Sequence, residues 1–200
     1  MRRLRILAVM LFALVAMMAA QSANYTVEAA AESTFELVVK KTGLMSGKEH
    51  LFVFPRYSGE LSYDATAPEQ SKITLRIDAA SIECKDDWLS DKDRTKVMAE
   101  ATENILQVAK HKELIFQSKA IQKQADGSYK VQGELSIRGI AKPVMVAVKM
   151  TPNADSSIAF AGDSTIDMTA WGLKPPKALL GAIGTDKDML LRFAVVARKR

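Results

Sequence analysis

Residues 126–150, DGSYKVQGELSIRGIAKPVMVAVKM, constrain this chain more than any other stretch. Tyr129, Val131, Leu135 and Ile137 fall on one face with Gly133 among them, while Lys130, Gln132, Glu134, Ser136 and Arg138 fall on the other. Successive strand side chains point to opposite faces of a sheet. A period of two therefore marks a strand buried on one face only, which is the habit of antiparallel sheets. Gly139 permits a turn, and Pro143 is expected to open the return strand, where a missing N–H is tolerated. Val144, Val146 and Val148 then resume the alternation, and Asp126-Gly127 is itself a hairpin signal.

The same period recurs along the chain. Strands are expected over 33–41, 50–54, 59–63, 73–77, 114–122 and 189–197, with a further one through Ile158 and Ile166; residues 81–84 read as the end of a strand. The period changes once. Ser90-Asp91-Lys92-Asp93 is a capping signature, and Val97, Ala101, Ile105 and Val108 recur near helical spacing over 94–110. Roughly eight strands with short connections predict an all-β protein, an antiparallel eight-stranded β-barrel. One main amphipathic helix lies between strands, packed on the barrel or plugging one mouth.

Arg2, Arg3 and Arg5 precede an apolar run over 6–20, and Ala20-Gln21-Ser22 offers small residues for cleavage, so residues 1–22 read as a secretory signal peptide and 23–200 as one domain. The run is short for a permanent membrane anchor, and no stop-transfer pattern follows it. Three arginines and no acid leave with the signal, so the remaining 25 basic residues face 23 acids and the net charge falls from +5 to +2. The charges are interspersed, which argues against a nucleic-acid partner. Arg198-Lys199-Arg200 reads as a solvated tail. Cys84 is the sole cysteine, so no internal disulfide forms and the thiol is expected to be buried as a small apolar group.

Catalytic signals are sparse. The two histidines, His50 and His111, have no His or Cys partner at metal-ligand spacing, and no Gly-x-Ser-x-Gly, Walker or Gly-x-Gly-x-x-Gly motif is present. Asp86-Asp87 and Asp186/Asp188 lie beside lysines and read as solvated loop carboxylates. No catalytic residue, metal or cofactor is assigned, and the protein is not expected to be an enzyme. The inner row is Phe35, Leu37, Val39, Phe52, Leu75, Ile77, Phe116, Leu135, Ile137, Val146, Phe160 and Phe193. Eight strands leave an interior that side chains fill or one small ligand enters, and this row fits both.

The order of these motifs resembles the YceI-like family. The likeness covers most of the chain beyond the signal. It begins at Tyr25-Thr26-Val27-Glu28 and continues through Ser33-Thr34-Phe35, Tyr57-Ser58-Gly59-Glu60-Leu61, Ser81-Ile82 and Leu114-Ile115-Phe116-Gln117-Ser118. It is strongest at Gly133-Glu134-Leu135-Ser136-Ile137-Arg138-Gly139 and reaches Trp171-Gly172-Leu173. There are departures: Glu32 and Lys41 stand where the family commonly has His, and Trp88-Leu89 replaces a common His-Leu. They bear on headgroup contacts more than on the fold. The resemblance implies a lipocalin-like barrel in the bacterial periplasm, or secreted. It would bind, carry or store a long-chain isoprenoid or similar amphiphilic lipid against the twelve inner residues, with tail length mattering more than headgroup. A non-lipid-binding secreted barrel serving as a stress-related interaction module is the alternative. The homodimer stays open.

Overall fold

The computed structural model describes residues 22–31 and 33–200; the expected signal peptide lies outside these residues except for Ser22. Its strands are β1 (Ala23–Glu28), β2 (Thr34–Gly43), β3 (Glu49–Val53), β4 (Tyr57–Tyr63), β5 (Lys72–Asp78), β6 (Glu83–Cys84), β7 (Glu113–Lys123), β8 (Tyr129–Ile137), β9 (Ile140–Pro152), β10 (Ile158–Asp167) and β11 (Ile183–Lys199). One α-helix, α1 (Asp91–Ala99), lies between β6 and β7.

All pairings are antiparallel, and the order β1-β4-β5-β7-β8-β9-β10-β11 closes on itself through β1 and β11. This is the eight-stranded barrel that the alternation predicts. The other three strands extend it. β1 and β2 both pair with β11, at Val27↔Ala197 and Phe35↔Phe193. β4 and β3 run beside them, at Tyr25↔Leu61 and Leu37↔Phe52, and β5 and β6 follow, at Gly59↔Leu75 and Phe52↔Cys84. Three of the eight staves are thus long strands interrupted once, between β1 and β2, β3 and β4, and β5 and β6.

Pro55 stands in the second break, where it cannot donate to a ladder. The groups freed at this level find other partners. Phe54 N–H donates to the Phe35 carbonyl at 2.9 Å, Asp78 N–H to Arg56 at 3.0 Å, and Ala79 N–H to Lys112 at 2.9 Å. The five continuous staves run unbroken, with register shifts only at Ser118/Ala120 of β7 and Thr185/Met189 of β11. Two glycines on their inner face make room for rings: a Cβ at Gly133 would lie 2.3 Å from the Phe116 ring, and one at Gly162 would lie 2.6 Å from Phe193.

Several expectations need correction. β1 alternates too briefly to register as a strand by sequence, yet it closes the barrel. Of residues 81–84, expected as the end of a strand, only Glu83–Cys84 is strand: a 3-10 turn, Ala79–Ser81, precedes the two-residue β6. The helix ends before 110. After α1 the chain widens into a π-helical turn, Glu100–Ile105, and Gln107 adopts a left-handed φ of 51°. Pro143 lies inside β9, opposite Glu134 of β8. β10 pairs with β9 only between Ala147 and Pro152, so Pro143 stands where β9 has one free edge. Ser164 closes that gap, donating from its hydroxyl to the Met145 carbonyl at 2.8 Å. Arg198 and Lys199 are exposed but are no tail, since their backbone pairs with β1.

Candidate functional site

The inner rows of the staves surround a cavity of about 510 Å³. All twelve residues of the sequence-derived inner row lie on its wall. Phe35, Val39, Phe52, Leu75, Ile77, Leu135 and Ile137 are buried; Leu37, Phe116, Val146, Phe160 and Phe193 are half-buried because they face open space rather than neighbours. Phe35 stacks on Phe193 with ring centroids 5.9 Å apart and meets Tyr57 at 5.8 Å. The interior is hollow, which the sequence alone left open.

Helix α1 and its π-helical continuation lie across one mouth, lining the cavity with Val97, Ala101 and Ile105. Ser90 starts this helix by accepting the Asp93 N–H at 3.2 Å. The segment 176–178, between β10 and β11, forms another part of the same rim. Beyond it Leu179 and Leu180 take left-handed φ values of 48° and 55° and are exposed, as is Leu44, whose N–H donates to the nearby Ala182 carbonyl.

The polar part of this wall is absent from the sequence-derived row. Lys41, His50, Lys96, Glu100, Lys177 and Thr185 all line the cavity near the helix-bearing mouth. A signal for two of them was present. Lys41 shares parity with Phe35, Leu37 and Val39, and His50 shares parity with Phe52, so each continues an inner row. Lys177 and Glu100 come from a loop and a helix, where strand parity carries no information.

His50 belongs to a buried cluster. Its Nδ1 lies 2.5 Å from the Asp86 carboxylate, whose other oxygen accepts the Leu51 N–H at 2.7 Å. Trp88 stacks on the His50 ring at 5.4 Å and donates from Nε1 to the Glu49 carbonyl. Asp86 is only 3% exposed, so its reading as a solvated loop carboxylate is wrong. The cue is three-dimensional: β6 lays residues 84–86 against β3, and Asp86 completes the hydrogen bonding that so short a strand leaves open.

Cys84 is buried, as expected, and burial pushes its thiol upward in pKa. His50, Cys84 and Asp86 bring their ligating atoms within 4.8 Å of one another, a grouping that the spacing of the sequence conceals. It is a poor nucleophilic triad. The thiol engages Asp86 rather than the imidazole, and its raised pKa disfavours the thiolate. It is also a poor cation site. The Arg94 guanidinium donates to the Cys84 carbonyl at 3.0 Å and to the Asp86 carbonyl at 2.5 Å, placing positive charge beside the cluster. The network instead joins β3, β6 and α1 at the broken side of the barrel.

A family model described as "YceI-like domain" matches residues 25–197. A "UPF0312 protein" of Pseudomonas savastanoi pv. phaseolicola is 28% identical over 153 residues, covering 73% of each chain. Among solved structures, BcnA of Burkholderia cenocepacia superposes with a TM-score of 0.66 at 21% identity, over 83% of this chain and 96% of that one. A structure described as a polyisoprenoid binding domain from Saccharophagus degradans gives 0.62 at 10% identity, over 90% of this chain and all of its own. At these identities the superpositions speak for the fold.

Proposed function

This chain belongs to the YceI-like family, and from that premise we propose that it is a lipid-binding protein that carries or stores a long-chain isoprenoid, or a similar amphiphile, in its barrel lumen. The observation that carries the reading is the hollow, apolar interior. Its volume falls in the range of roughly 300–1,000 Å³ usual for small-molecule sites, and its wall is mainly aromatic and aliphatic with its charged groups gathered at one mouth. The twelve inner-row residues are proposed to contact the ligand.

The action is physical rather than chemical. Each methylene moved from water into such a lumen contributes about 0.8 kcal/mol, so a long tail is retained without a catalytic group. Removal of the signal near Ser22 and release into the periplasm belong to the same proposal, as does the absence of enzymatic turnover. A neighbour described as polyisoprenoid-binding supports the ligand class.

The test is fluorescence displacement with single-chain amphiphiles of increasing tail length, alongside mass spectrometry of a solvent extract of the protein from its native host. Affinity should rise with tail length until the lumen is full. Val146→Trp should lower the tail length at which the rise stops. Affinity flat in tail length, from a protein that melts normally, would overturn the reading.

A further inference from the structure

The inner row of β2 runs Phe35, Leu37, Val39 and then Lys41. The first three are what an apolar lumen needs. The fourth sets a cation on the same face, half-buried, at the helix-bearing mouth. Opposite it on β11 stands Thr185, its register partner, also on the cavity wall. Lys177 approaches from the rim.

A cation withdrawn from water is normally held by an acid. Glu100, the acid on the cavity wall, and Asp86, whose charge reaches Lys41, are committed elsewhere. Asp86 is engaged by His50 and the Leu51 N–H, and Glu100 accepts from Asn104 Nδ2 at 2.5 Å. Lys96, the third lysine of the wall, is paired with Asp93 at 3.0 Å. Lys41 and Lys177 have no ion-pair partner among the described residues. Burial holds the Lys41 ammonium below its usual pKa, against an opposing pull from the Asp86 charge, as for a cation short of compensation.

We infer that Lys41, with Thr185 beside it and Lys177 at the rim, forms a subsite for an anionic headgroup, a phosphate or a carboxylate, on the chain held in the lumen. The inference rests on the lipid-binding reading and narrows its ligand class to amphiphiles with a negatively charged end. The tail supplies most of the binding. The ammonium fixes which end of the ligand sits at the helix-bearing mouth, and the Thr185 hydroxyl offers the same headgroup a hydrogen-bond donor.

Displacement of a fluorescent probe by four compounds of equal tail length tests this: dodecanoate, dodecyl phosphate, dodecanol and dodecyltrimethylammonium, each below its micelle concentration at pH 8. The two anions should outcompete dodecanol by about tenfold or more, as a charge-assisted hydrogen bond provides, and the trimethylammonium compound should be weakest. The order of the two anions decides between carboxylate and phosphate. Lys41→Gln should bring the anion-to-alcohol ratio close to one, and Lys41→Arg should largely restore it, with thermal melts checking that both variants fold. Equal affinity for dodecanol and the anions in the unmodified protein would overturn the subsite while leaving lipid binding intact. An unchanged ratio in Lys41→Gln would overturn the role of Lys41. Failure of all four compounds to bind would overturn the subsite and the lipid-binding reading together.

Discussion

The three interrupted staves and the five continuous ones wall the same cavity, but different interactions hold them. Along β7–β11 the ladders run through strands of 9 to 17 residues, and few side chains are needed to complete them. Along β1–β6 the ladders break at one level, and side chains do what a ladder would have done. Arg56 N–H turns to the Ser81 hydroxyl at 3.4 Å and Leu51 N–H to Asp86, while at the far end of β4 and β5 Asp64 N–H turns to the Ser71 hydroxyl at 3.1 Å. The buried polar residues divide accordingly: His50, Asp64, Ser71, Ser81 and Asp86 on the interrupted side, Ser157 and Ser164 on the other. A barrel wall is therefore made either by regular pairing or by shorter strands plus a buried polar network. The second way exposes stability to single substitutions, because an orphaned buried group costs its full desolvation.

This contrast can be broken by experiment. The largest effect should come from the continuous side, where the only way to do great harm is to violate the lumen itself. Leu135→Arg puts a charge on the inner face of β8 and should cost more than about 4 kcal/mol, enough to prevent folding or abolish ligand binding. Circular dichroism and displacement assays on the purified variant would report it. A normal melt with unchanged binding would mean that the inner and outer faces had been assigned the wrong way round.

Asp86→Ala comes next, at about 3–5 kcal/mol, because it strips the buried His50 and the Leu51 N–H of their acceptor. Its counterpart on the continuous side, Ser164→Ala, removes one hydrogen bond at the β9–β10 gap and should cost about 1 kcal/mol. Urea titrations of the two variants sharpen the comparison. Equal losses would mean that both sides depend on side-chain hydrogen bonds alike.

Gly162→Val should cost about 1–3 kcal/mol by overpacking, since its Cβ would lie 2.6 Å from the Phe193 ring and 2.3 Å from the Ala147 carbonyl oxygen. Thermal melting would measure the loss, and a second substitution, Phe193→Leu, should recover part of it by vacating the ring's place. Glu134→Arg, one residue from Leu135 but on the outer face, should change stability by only about 0.5 kcal/mol despite losing its 2.9 Å pair with Lys119.

Acid gives the gentlest test. Asp126, Asp155 and Asp167 each close a connection of the continuous side by accepting from the residue two positions on, Ser128, Ser157 and Thr169. Hydroxyl and backbone donors hold all three carboxyls below the usual range, Asp167 at about 2 with Lys187 assisting. A depressed folded-state pKa contributes stability that is present above the unfolded value of about 3.9 and is lost as the pH falls through the folded value. The amides of Ser128, Ser157 and Thr169 should therefore lose exchange protection, relative to intrinsic rates, between about pH 4 and pH 2. Protection unchanged across that window would mean that the carboxylates do not hold these turns.

The division between the two sides also decided what could be read from the sequence. Strict alternation through Tyr129, Val131, Leu135 and Ile137 gave β8 its register, because a long strand with one wet face repeats its pattern enough times to be recognised. β1 escaped, and β6 showed only as a strand end, because their pairing depends on β11 and β3, which lie far away in the chain. The apolar wall followed from parity. Its polar end did not, since Lys177 and Glu100 reach the cavity from outside the sheet. An acid beside lysines usually is solvated, and only the fold shows that Asp86 is buried against His50.

β11 pairs with three other strands, β1, β2 and β10, and its meeting with β1 joins residues that lie far apart in the chain: Thr26 Oγ1 donates to the Arg198 carbonyl across 172 positions. Every other neighbouring pair of staves forms between segments that follow one another in order. The seam is thus expected to be the slow step of folding, since distant partners pay their loop entropy before any contact repays it. Until β11 docks, the sheet carries two bare edges, β10 on one side and β1–β2 on the other, each able to pair with a second unfinished molecule. The period during which this protein is vulnerable to aggregation ends when β11, from Ile183 to Lys199, finds both of its sides.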